Sequence, residues 1–516
     1  MRSTISLILG VGLLTCAFPA FAAAPAAPSV TVGANDIKQL QFDWPAVPQA
    51  NSYQLWFKAN AGAQWTEYAE TVAQRPLIRI NVSVHLLDWR VARYLVKACN
   101  PSGCTSSAEK GVAGLALDAV GYFKPDLGRD TEFFGHTVAM SADGKVAATL
   151  ALETVGSATY SVALYVYRKT TATSGWRFDA RLAPPQPQFG TAQPREFNVL
   201  ALNGDGSLIA LGVPQEDAPG YTNSGAVYLF RRAQGGWHVE DEIRQAPRGS
   251  NLFGSAVDLD EAGQTLAIRH TQRGSDPGQG WTQIVRHDAA GGWQMGADIR
   301  VENGTGGLVN GCNTLALSGD GARLFRTCRF QNVSHVQVLA APNWNETARI
   351  PVGDNSGIDA DFGGTHFVVR NSCCSAYAYS FVNGAWVRDG SLLTFGPTEG
   401  HNEHNNVAIS HDGNLIAGGD PADDTAGEGP VYPPYATAAT ATGTVVVYER
   451  KASGWSVRRL IKPAGANPQW FGFDVALGDN GRALMVGSPE DSSAASGING
   501  DPNDSSAPIR GAAWLY

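Results

Sequence analysis

Residues 198–243 hold four short runs of alternating apolar and polar side chains, separated by an Asp-Gly turn, an acidic loop and a Gly-Gly-Trp turn. Period-2 alternation punctuated by turn residues reads as a four-stranded antiparallel meander. Units of this design recur. Their first hairpins turn at Asp143-Gly144, Asp205-Gly206, Ala262-Gly263, Asp320-Gly321, Gly363-Gly364, Asp412-Gly413 and Asn480-Gly481, between 43 and 68 residues apart. Such spacing is too regular for unrelated loops. The second hairpins carry a tryptophan, usually after glycine: Trp176, Trp237, Trp293, Trp344, Trp386 and Trp455.

Six tryptophan marks against seven first turns leave one unit short. The final "RGAAWLY" matches "SGAVYLF", the third run of the second unit, so the last unit lacks a fourth run. "LDAVGYFKPD" (117–126), ahead of the first unit, matches "SVRRLIKPAG" (456–465), a fourth run. The early segment is therefore expected to complete the last sheet and close a ring. Closure is physically required, because one four-stranded sheet buries little apolar surface and an open row leaves unmatched faces at both ends. The expected architecture is all-β, with a seven-bladed β-propeller over 114–516.

Residues 1–22 have a basic start at Arg2, an apolar run and the site Ala20-Phe21-Ala22, the pattern of a cleaved secretory signal. Cys16 in "LLTC" invites a lipoprotein reading, but Thr15 and the following Ala-x-Ala site favour plain cleavage. The expected location is secreted, periplasmic or cell-surface, and no later stretch reads as a membrane span. After a Pro/Ala linker over 23–27, residues 28–113 show short β-runs in which Trp44, Tyr53 and Tyr94 supply bulk for two packed sheets. Six cysteines remain after cleavage, which fits disulfides. Cys99 and Cys104 flank a turn, and Cys312 and Cys328 lie symmetrically about the Gly319-Asp320 turn. Cys373 and Cys374 are adjacent; a vicinal disulfide, two thiols and partners elsewhere all stay open.

Two resemblances attach to these residues. "DWPAVPQANSYQLWF" and "YLVKACNPSGCTSS" make 28–113 resemble a fibronectin type III domain, which implies a spacer or docking role. "FGHTVAMSADG", "FGSAVDLDEAG", "FGFDVALGDNGRALMVGSPED" and "SGAVYLF" resemble the FG-GAP repeats of integrin α-chain propellers and of secreted bacterial repeat proteins. "GCNTLALSGDGARLFRTC" and "GIDADFGGTHFVV" depart from that pattern. The resemblance implies a propeller; it does not carry over calcium, because a tight Asp-Gly turn cannot supply the six to eight oxygens that Ca²⁺ takes.

The loops between second and third runs are richer in carboxylates. They offer Glu216 and Asp217; Asp420, Asp423, Asp424 and Glu428; and Glu490, Asp491, Asp501 and Asp504. In an up-and-down blade these loops share one face, where they are expected to form a rim that is either simply solvated or binds a ligand or Ca²⁺. His401 and His404 in "HNEHNN" make half a metal site, since zinc wants at least three protein ligands. The repeated tryptophans read as packing residues. A formal net charge of −9 without a Lys/Arg run argues against nucleic acid. The expected function is a monomeric, non-catalytic binding or adhesion module for a protein or an extracellular glycan. A secreted polysaccharide lyase or glycosidase is the alternative, and a lectin with one weak site per blade a third.

Overall fold

The computed structural model describes residues 23–72, 75–125, 131–156, 159–171, 174–185, 199–246, 251–271, 280–288, 292–300, 311–330, 333–353, 355–371, 376–392, 407–423, 427–432, 442–463, 470–504, 506 and 510–516. The leader 1–22, Cys373, Cys374, His401, His404 and Asp424 lie outside the described residues. The chain divides into two compact units, one made of residues up to Val32 with Gln41–Ile78 and Arg90–Val112, the other of Gly33–Leu40, Arg79–Trp89 and Ala113–Tyr516.

In the larger unit seven antiparallel sheets follow one another among the described residues, numbered 1 to 7 in chain order and beginning at Thr131, Leu200, Ala256, Gly311, Asn355, Val407 and Val475. Sheet 2 shows the plan: Leu200–Leu202, Leu208–Val213, Ala226–Ala233 and Gly236–Ile243 lie side by side in chain order. All six residues of Leu208–Val213 are buried, whereas the outermost strand is mostly exposed or half-buried. A strand covered on both faces must be apolar throughout, and this one lies between the sheets on either side. Leu150 and Val166 of sheet 1 pack on Leu211 and Tyr228 of sheet 2, and equivalent clusters join sheets 2 and 3, 3 and 4, 4 and 5, 5 and 6, and 7 and 1. The core is thus a series of layers between neighbours.

The innermost strand of each sheet touches that of the next, and Val475–Gly478 of sheet 7 touches Val138–Met140 of sheet 1. This is a closed β-propeller ring. Sheet 7 consists of Val475–Gly478, Ala483–Ser488, Ala512–Leu515 and, as its fourth strand, Gly121–Phe123, with Trp514 opposite Tyr122. Two sheets exceed the four strands expected. In sheet 1 the 11-residue strand Val146–Gly156 overhangs its 3-residue inner partner, and Thr131–Glu132 pairs with the overhang. In sheet 6 Gly429–Val431 adds to the outer edge of Gly454–Lys462.

The borrowed strand is held by a buried charge. Lys124 Nζ donates to Asp491 Oδ1 at 2.9 Å, and Tyr122 Oη donates to the same oxygen at 2.8 Å. Both side chains of the ion pair are fully buried. Segments 33–40 and 79–89 belong to the same unit: Ile37 joins the core between sheets 7 and 1, Lys38 Nζ donates to the Tyr516 carbonyl at 2.8 Å, and His85 Nε2 bonds the Gly481 carbonyl at 2.8 Å.

The smaller unit carries strands of a three-stranded and a five-stranded sheet. Phe42 meets Tyr94 and Trp44 meets Tyr53, each pair with ring centroids 5.0 Å apart, and all four are buried. Disulfides join Cys99 to Cys104 here and Cys312 to Cys328 across the first hairpin of sheet 4. No helix among the described residues is long and apolar enough to cross a membrane.

Breaking one side of a buried pair strands its partner at a cost of about 3–5 kcal/mol. Lys124→Met is therefore expected to destabilise the propeller by roughly that amount in urea unfolding, and Lys124→Met with Asp491→Leu to recover most of it. Equal losses in the single and double variants would show that the ion pair does not hold the strand.

Candidate functional site

The seven first-hairpin turns surround one mouth of the ring. Their glycines, Gly144, Gly206, Gly263, Gly321, Gly364, Gly413 and Gly481, all have φ between 58° and 77°, a conformation that glycine adopts without steric cost. In four turns an aspartate organises the loop: Asp143, Asp205, Asp320 and Asp412 each accept the N–H two residues on, at 2.9–3.0 Å. Sheets 3 and 5 have Ala262 and Gly363 at that position. There the carboxylate sits two residues earlier, and Asp260 and Asp361 accept two N–H groups each, Gln264 and Thr265 for the first, Thr365 and His366 for the second.

These turns also bind one another. Asp143 N–H donates to Gly204 O, Gly204 N–H to Glu261 O, Glu261 N–H to Gly319 O, Asp320 N–H to Phe362 O, and Phe362 N–H to His411 O, all at 2.9–3.1 Å. Asp412 N–H donates to Asn480 Oδ1 at 3.0 Å, and Asp479 N–H returns to Ala142 O at 2.8 Å. The belt runs through all seven sheets. Its sheet 6–7 link is made by a side chain, and Asn480 also donates from Nδ2 to Asp412 Oδ2 at 3.0 Å.

Behind the belt lies an axial channel of about 200 Å³, walled by the inner strands of all seven sheets. Three carboxylates face it from alternate sheets. Asp258 Oδ2 accepts Leu317 N–H at 2.7 Å, Asp359 Oδ2 accepts Ile409 N–H at 2.8 Å, and Asp474 Oδ2 accepts Val138 N–H at 2.9 Å. Each thereby ties its sheet to the next. Burial pushes Asp258 and Asp359 up to about 7 and Asp474 up to about 8, against the opposing pull of these N–H groups. None of the three was singled out in the sequence. The available signal is the middle residue of the inner run, which is Ala139, Ala201, Ala316, Ala408 and Ala476 in five sheets but Asp258 and Asp359 in two.

The residues that the sequence did single out are distributed otherwise. Glu216 is buried, paired with Arg244, and accepts from Tyr228 Oη at 2.9 Å. Glu153, Arg181 and Tyr165 repeat this device in sheet 1. Asp423 pairs with the buried Lys462 at 3.0 Å, and Asp491 holds Lys124. Asp420 is buried, and burial raises its carboxyl above the usual range against the pull of Arg370. Asp217, Asp501 and Asp504 stay nearer the surface and accept the N–H groups of Asn223, Asn503 and Ser506. Glu490 is half-buried and Glu428 exposed. Three of these loop carboxylates, Glu216, Asp423 and Asp491, are in ion pairs with Arg244, Lys462 and Lys124, because a carboxylate drawn between sheets needs a cation beside it. Among the described residues no three His, Cys, Asp or Glu side chains come together as a metal would require.

The tryptophans reach the preceding sheet. Trp237 Nε1 donates to Asp179 at 2.8 Å, Trp293 Nε1 to Glu240 at 3.3 Å, and Trp386 lies 5.6 Å from Phe325 between ring centroids. The Phe-Gly pairs serve the same junctions at the other face. Phe134, Phe253 and Phe471 are fully buried, and a Cβ on Gly135 would stand 1.9 Å from Ala512 O, on Gly472 2.4 Å from Thr444 O.

No family model matches the chain, and no curated protein does. Among solved structures it is similar to the β-propeller domain of Cps50 (Swd1) from Myceliophteria thermophila, at 10% identity and a TM-score of 0.44, over 76% of this chain and 99% of that one.

Two outcomes follow from the channel and its belt. Because the channel aspartates bind protons more tightly in the fold than the ordinary carboxyl at about 3.9, their stabilisation is complete below that value and is lost as pH rises through 7–8. Replacing Asp258, Asp359 and Asp474 by Asn should flatten the fall in Tm between about pH 4 and 8; an unchanged slope would show that these groups do not titrate there. Asn480→Ala removes two hydrogen bonds and strains a residue at φ 53°, so unfolding free energy should drop by about 2 kcal/mol.

Proposed function

We propose that the chain is a secreted or cell-surface binding module: a seven-bladed propeller, preceded by a fibronectin type III-like module, that recognises a protein or an extracellular glycan. The two disulfides are compatible with an oxidising compartment. The observation that carries the reading is the placement of long loops. Residues 214–225, 421–443 and 489–511 join second to third strands in sheets 2, 6 and 7, while sheet 4 makes the same connection within 331–332. Sheets 6 and 7 are neighbours in the ring and sheet 2 follows after sheet 1, whose own connection is only 157–158.

Parts of these loops are fixed from within. Ala218 and Tyr221 exchange backbone hydrogen bonds of 2.9 and 2.8 Å, leaving the Tyr221 side chain 42% exposed, and Ala494 N–H donates to Asp504 O at 2.7 Å. A rigidly presented aromatic contributes contact area at low entropic cost. Calcium at the acidic loops between second and third strands is part of this proposal. A calorimetric titration with Ca²⁺, read with the shift in Tm, decides it.

Screening the full chain against a glycan array and immobilised cell-surface proteins should give a saturable partner. Tyr221→Ala is expected to weaken that binding about tenfold, in the range of interface hot spots, with Tm unchanged. Release of unsaturated sugar ends or shortened chains from a polysaccharide would replace this reading with the lyase or glycosidase alternative.

A further inference from the structure

In three sheets the residue three beyond the outer tryptophan is a carboxylate that answers a donor on the following sheet. Asp179 accepts from Arg232 at 3.1 Å and from Trp237 at 2.8 Å. Glu240 accepts from Trp293 at 3.3 Å, and Asp389 pairs with Arg450 at 3.0 Å. In the other three sheets that place is taken otherwise. Arg458 holds it in sheet 6 and pairs with Glu449 at 2.7 Å. Gly296 holds it in sheet 3, where Trp344 of sheet 4, 5% exposed, belongs to the core between the two sheets. In sheet 4 it is Thr347, and beside it a groove of about 490 Å³ lies open between sheets 4 and 5.

The groove walls are mainly apolar: Ala340, Ala348 and Ile350 from sheet 4, Phe381, Ala385 and Trp386 from sheet 5. Phe381 is 37% exposed and sits opposite Trp386, the register position that Arg232 and Arg450 hold opposite their own tryptophans. The cation here comes from sheet 4 instead. Arg323 lines the groove with its guanidinium 4.9 Å from the Phe381 ring, and its Nη1 donates to Gly364 O at 2.6 Å. Among the described residues no carboxylate pairs with it. Arg349, on the same wall, is already answered: its Nε and Nη2 donate to Glu346 at 2.8 and 2.6 Å. A guanidinium without a counter-charge, set beside apolar walls where sister junctions hold an acid, matches an anion carried on an apolar chain.

We propose that this groove docks an acidic segment of a partner protein, whose Asp or Glu carboxylate meets Arg323 while an apolar neighbour lies against Ile350 and Trp386. A sugar fits less well, because its hydroxyls need polar partners. Thr347, the one hydroxyl side chain among the described lining residues, already donates to Val338 O at 3.2 Å. The groove opens beside the first-hairpin turn of sheet 5, at the other end of the strands from the long loops, so this site and the loop face can each fail without the other.

The test uses the full chain and two capped peptides, one with glutamate between leucines and one with glutamine in its place. The indole N–H resonance that disappears in Trp386→Phe should move saturably with the glutamate peptide, and with about tenfold lower affinity for the glutamine one, the worth of a charge-assisted hydrogen bond. Added NaCl should weaken the first response and spare the second. Arg323→Gln should bring the glutamate peptide down to the level of the glutamine peptide. Thr347→Asp places an internal acid where sheets 1, 2 and 5 have one; it should abolish the glutamate response at unchanged or higher Tm, and it serves as the test should Arg323→Gln not fold. Equal affinity for the two peptides, or a glutamate response undiminished in the folded variants, would overturn the proposal. So would Arg323-dependent binding of oligogalacturonate without any peptide response, which gives the groove to a glycan, or Arg323-dependent self-association in sedimentation, which gives it to a second copy of the chain.

Discussion

Radial sheets packed face to face have no intrinsic reason to stop at a closed circle. What fixes this one is the belt at the turn face, where each first hairpin passes a hydrogen bond to the next until Asp479 reaches Ala142. The belt depends on turns of similar shape, and each has a glycine with positive φ, while in six of the seven a carboxylate closes the loop internally. At the Asp479-Asn480 turn the main chain runs differently, and the Asn480 amide supplies the missing acceptor. The channel aspartates repeat the principle one layer deeper, linking sheets 3 to 4, 5 to 6 and 7 to 1.

Much of this was legible in the residues. Turn glycines, tryptophans after the third strand and the kinship of "YFKPD" with "LIKPA" each report a local requirement, and local requirements survive in sequence. That kinship located the strand opposite Ala512–Leu515, and the matching lysines, Lys124 and Lys462, both proved to answer a loop carboxylate. Sheets 3 and 5, which have Ala262-Gly263 and Gly363-Gly364 at the turn, carry the organising carboxylate at Asp260 and Asp361, a shift of two residues that a search for one dipeptide passes over.

The destination of the acidic loops was less legible. Composition sees Glu216, Asp423 and Asp491 as solvated charge, because their partners come from elsewhere in the chain: Arg244 from beyond the fourth strand, Lys462 from a strand after a long loop, Lys124 from another end of the sequence. Long-range pairing is invisible to spacing arguments.

The borrowed strand of sheet 7 has a bearing on time as well as on energy. Gly121–Phe123 must wait for Ala512–Leu515, some of the most distant partners in the larger unit, and contacts of such high sequence separation form late and slowly. Sealing the circle is then the closing act of folding. Interactions absent from the transition state act mainly by slowing unfolding, so a chain sealed in this way gains persistence more than speed.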